Sequence, residues 1–286
     1  MTPELLHAKN IIVQGITGTH GMFHTRAMRA EGTNIIAGTS PNKAGQNIDG
    51  VPVFATITDI IQAGFQPDAS VIFVPAPFAK SAILEAIAAK IPLIVCITEG
   101  IPLHDMLQIT QQLRKGQSTL IGPNSPGFII PNSVKIGIIP SQFGSPGPIG
   151  LVSRSGTLTY EVMTGLSARG IGQKYVIGIG GDPIQGAGFI DCLKLFESDP
   201  AITKIVMIGE IGGSSEQEAA DFIKANIKKP VYAYIAGHHA PTGVTLGHAG
   251  AILGSDQESA KAKTEYLANK GIYTSNSTTE LVAMVK

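Results

Sequence analysis

His248 sits between two glycines in the stretch Thr245-Leu246-Gly247-His248-Ala249-Gly250-Ala251. No helical or alternating apolar pattern runs through it, so the imidazole belongs to a loop. Glycine on both sides lets the backbone turn tightly and lets other groups approach the ring. An imidazole held this way is a general base or a nucleophile once a carboxylate fixes its tautomer and raises its basicity. Glu210 is the carboxylate placed to do so, just beyond the apolar run 202–208. His7, His20, His24, His104, His238 and His239 have no such pairing in the sequence. Spacing alone does not separate His248 from an incidental surface histidine; its setting has to.

Two glycine-bearing turns offer anion sites. Ser153-Arg154-Ser155-Gly156-Thr157 opens a helix, so backbone N–H groups around Ser155, Gly156 and Thr157 point at whatever anion lies beyond. Histidine, carboxylate and helix N-terminus together suit phosphoryl transfer onto imidazole better than acyl hydrolysis, and no G-x-S-x-G nucleophile turn is present. The second turn, Gly15-Ile16-Thr17-Gly18-Thr19-His20-Gly21, follows an apolar run and precedes a helix. Its spacing is G-x-x-G-x-x-G, so it is a phosphate loop with only weak preference for a nicotinamide dinucleotide, and His20 is a backbone contributor at most. The next strand ends in Thr39-Ser40-Pro41-Asn42-Lys43-Ala44-Gly45. An NAD site places an acid there for the ribose hydroxyl; Lys43 suits a phosphorylated ribose instead, that of NADP or coenzyme A. No H-E-x-x-H, paired C-x-x-C or G-x-x-x-x-G-K-[ST] occurs, so no metal site is expected. A nucleotide that phosphorylates His248 then sits, with its Mg²⁺, on another chain.

These groups need a scaffold that brings strand ends together. Apolar runs at 10–14, 34–38, 69–74, 93–97 and 119–121 alternate with helical patterns at 22–30, 78–89 and 105–114, with Met22, Phe23 and Ala27 turned inward on the first helix. The Gly-, Pro- and Thr-rich loops follow strand ends, so they share one rim. Five strands with crossovers make a Rossmann-like domain over 1–128. Residues 129–148 are rich in Pro and Gly and read as a connection, with a short β excursion near 134–139. Strands at 149–152, 175–179, 202–208 and 231–235, helices at 158–168 and from 216, and a helix–strand–helix tail from 258 make a flavodoxin-like parallel α/β domain over 149–286. His248 falls on its long loop 236–254.

Of the 286 residues, 43% are hydrophobic and only 15% charged, which points to covered sheet faces, and a net charge of zero gives no support to a nucleic-acid or membrane partner. Cys96 and Cys192 lie in apolar segments and read as buried thiols. No signal-like segment and no apolar run near 18 residues is present, so a soluble cytoplasmic protein is expected.

The chain resembles the alpha subunit of succinyl-CoA synthetase, the succinate–CoA ligase. The resemblance rests on Gln14-Gly15-Ile16-Thr17-Gly18, Ile97-Thr98-Glu99-Gly100-Ile101-Pro102, Gly122-Pro123-Asn124 and Val152-Ser153-Arg154-Ser155-Gly156-Thr157-Leu158-Thr159-Tyr160-Glu161. It continues through Gly178-Ile179-Gly180-Gly181-Asp182-Pro183, Met207-Ile208-Gly209-Glu210-Ile211-Gly212-Gly213 and Gly247-His248-Ala249-Gly250-Ala251. It implies reversible, ATP- or GTP-dependent joining of succinate and coenzyme A in the citric acid cycle, through a phosphohistidine at His248 and succinyl phosphate. It implies that Thr17, Gly18, Thr19, His20, Lys43, Ile97, Thr98 and Glu99 line a CoA site, that Tyr160 contacts the substrate region and that Glu210 hydrogen-bonds His248. It also implies a beta subunit carrying the nucleotide and Mg²⁺, in an αβ or α2β2 assembly, with the histidine loop travelling between two sites. The family usually has cysteine where this chain has Ser125, which argues against a thiol role there. An NADP-dependent oxidoreductase accommodates Lys43 but leaves the histidine loop without a task. A CoA-sensing module does not need the His248–Glu210 pair, and a sister ligase for an acid such as malate shares all of these motifs.

Overall fold

The computed structural model describes residues 1–238, 247–252 and 254–286. Thr245 and Leu246 of the histidine motif, and His239, lie outside the described residues. In chain order the first half contains α1 (Pro3–Leu6), β1 (Ile11–Gln14), α2 (Thr19–Ala30), β2 (Ile35–Thr39), β3 (Asn47–Ile48), β4 (Val51–Phe54) and α3 (Ile57–Gln62). It continues with β5 (Ala69–Ile72), α4 (Ala76–Ala88), β6 (Leu93–Cys96), α5 (Leu103–Lys115) and β7 (Thr119–Ile121). Every residue of β1, β5 and β6 is buried, as expected of parallel strands covered by helices on both faces. The sheet order is β3-β4-β2-β1-β5-β6-β7. Apart from the antiparallel edge strand β3, this is the doubly wound order 3-2-1-4-5-6 of the Rossmann fold. Sequence periodicity gives five of these strands. It misses β4, whose four residues include Pro52, tolerated near a sheet edge.

The second half contains β8 (Gly127–Ile130), β9 (Val134–Gly137), β10 (Pro146–Ser153), α6 (Gly156–Ala168), β11 (Gln173–Gly178), α7 (Phe189–Ser198) and β12 (Lys204–Glu210). It ends with α8 (Ser215–Asn226), β13 (Val231–Ala236), α9 (Ala260–Asn269), β14 (Tyr273–Ser275) and α10 (Thr278–Met284). The order is β14-β13-β12-β10-β11-β8-β9. Strands β10 to β14 follow the flavodoxin-like order 2-1-3-4-5. Three helix starts carry serine side-chain caps: Ser155 on α6, Ser259 on α9 and Ser277 on α10. Helix α7 is not among the elements assigned from sequence, although Phe189, Cys192, Leu193 and Phe196 have helical spacing and are all buried.

Two expectations need correction. Residues 129–148 are more than a connection: β8 and β9 form an antiparallel hairpin, and β8 pairs with β11 in the second sheet. Sheet membership therefore changes between Ile121 and Gly127, and we propose the domain boundary there rather than at 128. On α2 the buried face is Gly21, Thr25 and Met28, while Phe23 is 64% exposed. The reason lies at the helix start. A Cβ on Gly21 would stand 2.2 Å from the Gly15 carbonyl oxygen, so the face against the glycine turn has to be the one without bulk.

The two sheets are joined by direct contacts. Thr33 Oγ1 donates to the Lys135 carbonyl at 2.7 Å, and Ala187 N donates to the Leu120 carbonyl at 2.6 Å. One apolar core runs from Val13, Val71 and Val95 into Phe128, Tyr175 and Ile177. At the crossing, Ser125 Oγ donates to the Gly178 carbonyl at 2.6 Å and accepts from Gly127 N at 2.9 Å. Both bonds are buried, so Ser125→Ala should cost about 1–3 kcal/mol. A lower urea midpoint with an unchanged slope is the expected measurement.

Candidate active site

In the second sheet the chain leaves β10 to one side for β11 and returns on the other side for β12. That reversal opens a crevice at the strand ends. Arg154 follows β10 and Glu210 ends β12 at this point. His248 Nδ1 donates to Glu210 Oε2 at 2.6 Å. Because an ionised carboxylate only accepts, this bond assigns the proton to Nδ1 and leaves the lone pair on Nε2. Glu210 Oε1 faces Arg154 Nε at 3.1 Å, and Arg154 Nη1 stands 3.5 Å from Glu216 Oε1. Lys263 Nζ donates to Glu216 Oε2 at 2.5 Å and to the Glu210 and Gly212 carbonyls at 2.9 and 2.6 Å. Glu210 N donates to Glu216 Oε1 at 3.2 Å. All four charged residues are buried. The result is a buried chain of alternating charge whose end is the carboxylate under His248.

The imidazole pKa is raised above its ordinary value. The hydrogen bond to Glu210 is the chief cause. Burial and Arg154 oppose it, while the Glu210 charge and Asp182 add to it. Asp182 is held by Asn124 Nδ2 at 3.0 Å, and burial pushes its carboxyl upward.

His248 faces a cavity of about 640 Å³ at the junction of the two halves. Ile97, Thr98 and Glu99, which follow β6, line it, as do His20, Tyr160 and the start of α6 at Ser155, Gly156 and Thr157. Ser155 is committed locally: its Oγ accepts from Leu158 N at 3.3 Å and its N–H meets Ser153 Oγ at 3.0 Å. Gly156 and Thr157, as first-turn residues, have no intrahelical acceptor for their N–H groups. Burial raises the Tyr160 phenol pKa, so it stays a donor.

A second cavity of about 560 Å³ lies at the switch point of the first sheet, between β1 and β5, and is lined by Gly15, Thr17, Gly18, Ser40, Pro41 and Asn42 among others. Gly15 takes a positive φ of 84°, and Gly18 N donates back to its carbonyl at 3.0 Å. The two cavities share the wall Phe73-Val74-Pro75. The one acid on the second cavity, Glu85, already accepts from Ile57 N at 2.8 Å and Gln14 Nε2 at 3.2 Å.

Not every expected residue falls on a cavity wall. Lys43 is exposed at the end of the turn Pro41–Lys43; its neighbours Pro41 and Asn42 face the second cavity, while Lys43 does not line it. Thr19 is the first residue of α2 and lines neither cavity. His20 is also helical rather than part of the loop, and its side chain lines the larger cavity.

Several site residues escaped the sequence reading. Phe73 to Pro75 form the shared wall. His24 stacks on Phe73 with ring centroids 5.4 Å apart, and burial, followed by Lys135 and His20, pushes its pKa down to about 4. Glu216 and Lys263 carry the buried charge chain. Lys263 had a usable signal, since Ala260, Lys263 and Leu267 share the buried face of α9.

Residues 7–100 match the CoA binding domain family and residues 152–273 the CoA-ligase family. The class is therefore a two-domain CoA ligase chain. The alpha subunit of succinate–CoA ligase [ADP-forming] from Aquifex aeolicus is 48% identical over 265 residues, 92% of this chain and 87% of that protein. The corresponding subunit from Staphylococcus aureus is 47% identical over 271 residues, 95% of this chain and 89% of that one. The chain belongs to the succinate–CoA ligase alpha-subunit family. Among solved structures, ATP citrate lyase from Methanothrix soehngenii in complex with citrate and coenzyme A superimposes with a TM-score of 0.86 at 27% identity. That match covers 97% of this chain but 49% of the other, so the present chain spans about half of it. The dinucleotide-forming acetyl-coenzyme A synthetase 1 of Ca. Korarchaeum cryptofilum shares the fold, with a TM-score of 0.76 at 20% identity.

The buried charge chain sets a stability expectation. Lys263→Met leaves Glu216 buried without its cation, which should cost about 3–5 kcal/mol. Denaturant unfolding of the variant against the parent measures it.

Proposed function

We propose that this chain is the histidine-bearing subunit of a succinate–CoA ligase. The observation that carries the reading is His248 on Glu210, in a cavity that also holds the open N-terminus of α6 and shares a wall with the glycine-turn cavity. Coenzyme A fits these two connected spaces. Its phosphorylated adenosine end suits the second cavity, where the one acid is already engaged, and its thiol reaches the larger one. The first turn of α2 offers N–H groups to a diphosphate. The sequence carries no phosphate-binding G-x-x-x-x-G-K-[ST] loop, which supports the reading that the nucleotide and Mg²⁺ belong to a beta subunit. Buried, unpaired Cys96 and Cys192 accord with a reducing, cytoplasmic setting.

The chemistry follows from the tautomer. Nε2 attacks the terminal phosphorus of the nucleoside triphosphate; the Nε2–P bond forms and the bond to the diphosphate leaving group breaks. Nδ1 keeps its proton. With the loop seated as seen here, Glu210 balances the positive charge on the phosphorylated ring while a carboxylate oxygen of succinate attacks phosphorus; the O–P bond forms, the P–Nε2 bond breaks with its electron pair returning to Nε2, and an acyl phosphate results. The N–H groups of Gly156 and Thr157 and the Tyr160 hydroxyl are placed to hold the anionic groups in this cavity. The CoA sulfur then attacks the acyl carbon and inorganic phosphate leaves, with the thiol proton passing to phosphate or solvent.

When the complex is mixed with γ-labelled nucleotide and Mg²⁺, this chain should take up acid-labile, base-stable phosphate. His248→Asn should reduce that label to background; normal labelling of the variant overturns the assignment. The pH dependence has a defined sign. Attack needs the neutral ring, so labelling should rise with pH through a midpoint above the ordinary imidazole value. Glu210→Gln removes the chief cause of the raised pKa. Its midpoint should move to lower pH, while discharge of the labelled chain by succinate and CoA falls on the order of 10²-fold or more.

A further inference from the structure

The seat of the imidazole is made by a missing side chain. A Cβ built on Gly181 would stand 2.2 Å from His248 Cγ, 2.3 Å from Nδ1 and 2.8 Å from Cβ, so the three nearest atoms all belong to that one side chain. Gly181 is not among the glycines with positive φ, so its backbone does not itself require glycine. The loop is clamped there by Gly250 N donating to the Gly181 carbonyl at 3.1 Å. On the far side, a Cβ on Gly212 would stand 2.2 Å from the Gly250 carbonyl oxygen. Residues 248–250 thus lie in a slot between the loops after β11 and β12.

We infer that Gly181 is a positioning residue for the ligase reaction: its bare Cα lets the His248 ring lie against the β11 loop and reach Glu210, and any side chain there shuts the histidine out of this seat. The inference rests on the proposed role of His248. It differs from a general need for glycine, because Gly181 has no positive φ and the nearest atoms an added Cβ meets all belong to the His248 side chain. The charges facing the ring are Glu210, Arg154 and Asp182. A ring displaced by the alanine methyl loses the first of these and hence its raised pKa.

The test uses Gly181→Ala in the complex with its partner subunit. Imidazole NMR with histidine-labelled chain should show the His248 titration midpoint moving down toward the ordinary value, whether or not the protein is phosphorylated. Labelling by nucleotide should persist within a few-fold, because that step occurs on the partner. Discharge of the labelled chain by succinate and CoA should fall on the order of 10²-fold, the scale of an ångström misplacement. Thermal unfolding of Gly181→Ala/His248→Gly should match that of His248→Gly alone, since all three colliding atoms are then gone. An unchanged midpoint with normal discharge overturns the inference, as does a destabilisation that persists in the His248→Gly background. Failure of the wild-type chain to take label overturns the proposed function instead, and leaves the NMR midpoint to decide on Gly181.

Discussion

The site depends on one buried carboxylate staying where it is. Glu210 ends β12 with its backbone N–H tied to Glu216 and its carbonyl held by Lys263. One of its oxygens faces Arg154 and the other holds His248. Burying four charges costs several kcal/mol per ion before their mutual attraction is counted, and an apolar cluster would be at least as stable. What the apolar cluster would not supply is a fixed negative charge at 2.6 Å from Nδ1. With two cations and two anions, the chain is neutral when the imidazole is neutral. It can therefore remain buried without drawing counter-ions into the crevice.

That carboxylate is useful only because two sheets present their switch points to each other. In each sheet, chain reversal opens a crevice at the strand ends, at β1/β5 in one and β10/β12 in the other. The β8–β9 hairpin and the Ser125 crossing bring the two crevices together, so that Phe73, Val74 and Pro75 become a common wall. A long ligand can then have its phosphates at one glycine turn and its reactive end beside the histidine. Ser125 illustrates how a residue near the chemistry can serve the scaffold. Its hydroxyl is used by Gly178 and Gly127, so the serine bridges the crossing.

Much of this was legible in the residues. Strands β1, β5 and β6 announce themselves because both faces are buried and every position but Gln14 is apolar or small. The pairing of Glu210 with His248 followed from placing both at parallel strand ends. Other features are invisible to periodicity for physical reasons. The β8–β9 hairpin sits among prolines and glycines that read as linker, and its pairing with β11 is fixed by contacts far away in sequence. β4 carries Pro52, which breaks the apolar run that marks the other strands. Lys43 has the right charge and chain position, yet its side chain stands outside the cavity that Pro41 and Asn42 line. Phe23 looked like core on α2, but the tight approach of Gly21 to Gly15 rotated it outward. Lys263 sits where an apolar residue belongs, and only the carbonyls and carboxylate around its ammonium explain it.

The electrostatics of His248 carry opposing demands. A strong bond to Glu210 orients the ring and stabilises positive charge on it, but it also raises the pKa and so reduces the neutral, nucleophilic fraction near pH 7. Burial and the Arg154 guanidinium push the other way. Arg154 thus does two things at once: it pins the far oxygen of Glu210 and limits how much cationic imidazole that carboxylate stabilises. In the proposed phosphohistidine, the same positive charge would lie near a new anion, beside the Gly156 and Thr157 N–H groups. A histidine without this counterweight would be better oriented but more often protonated. One without Glu210 would be free to attack, yet turned by chance to either nitrogen.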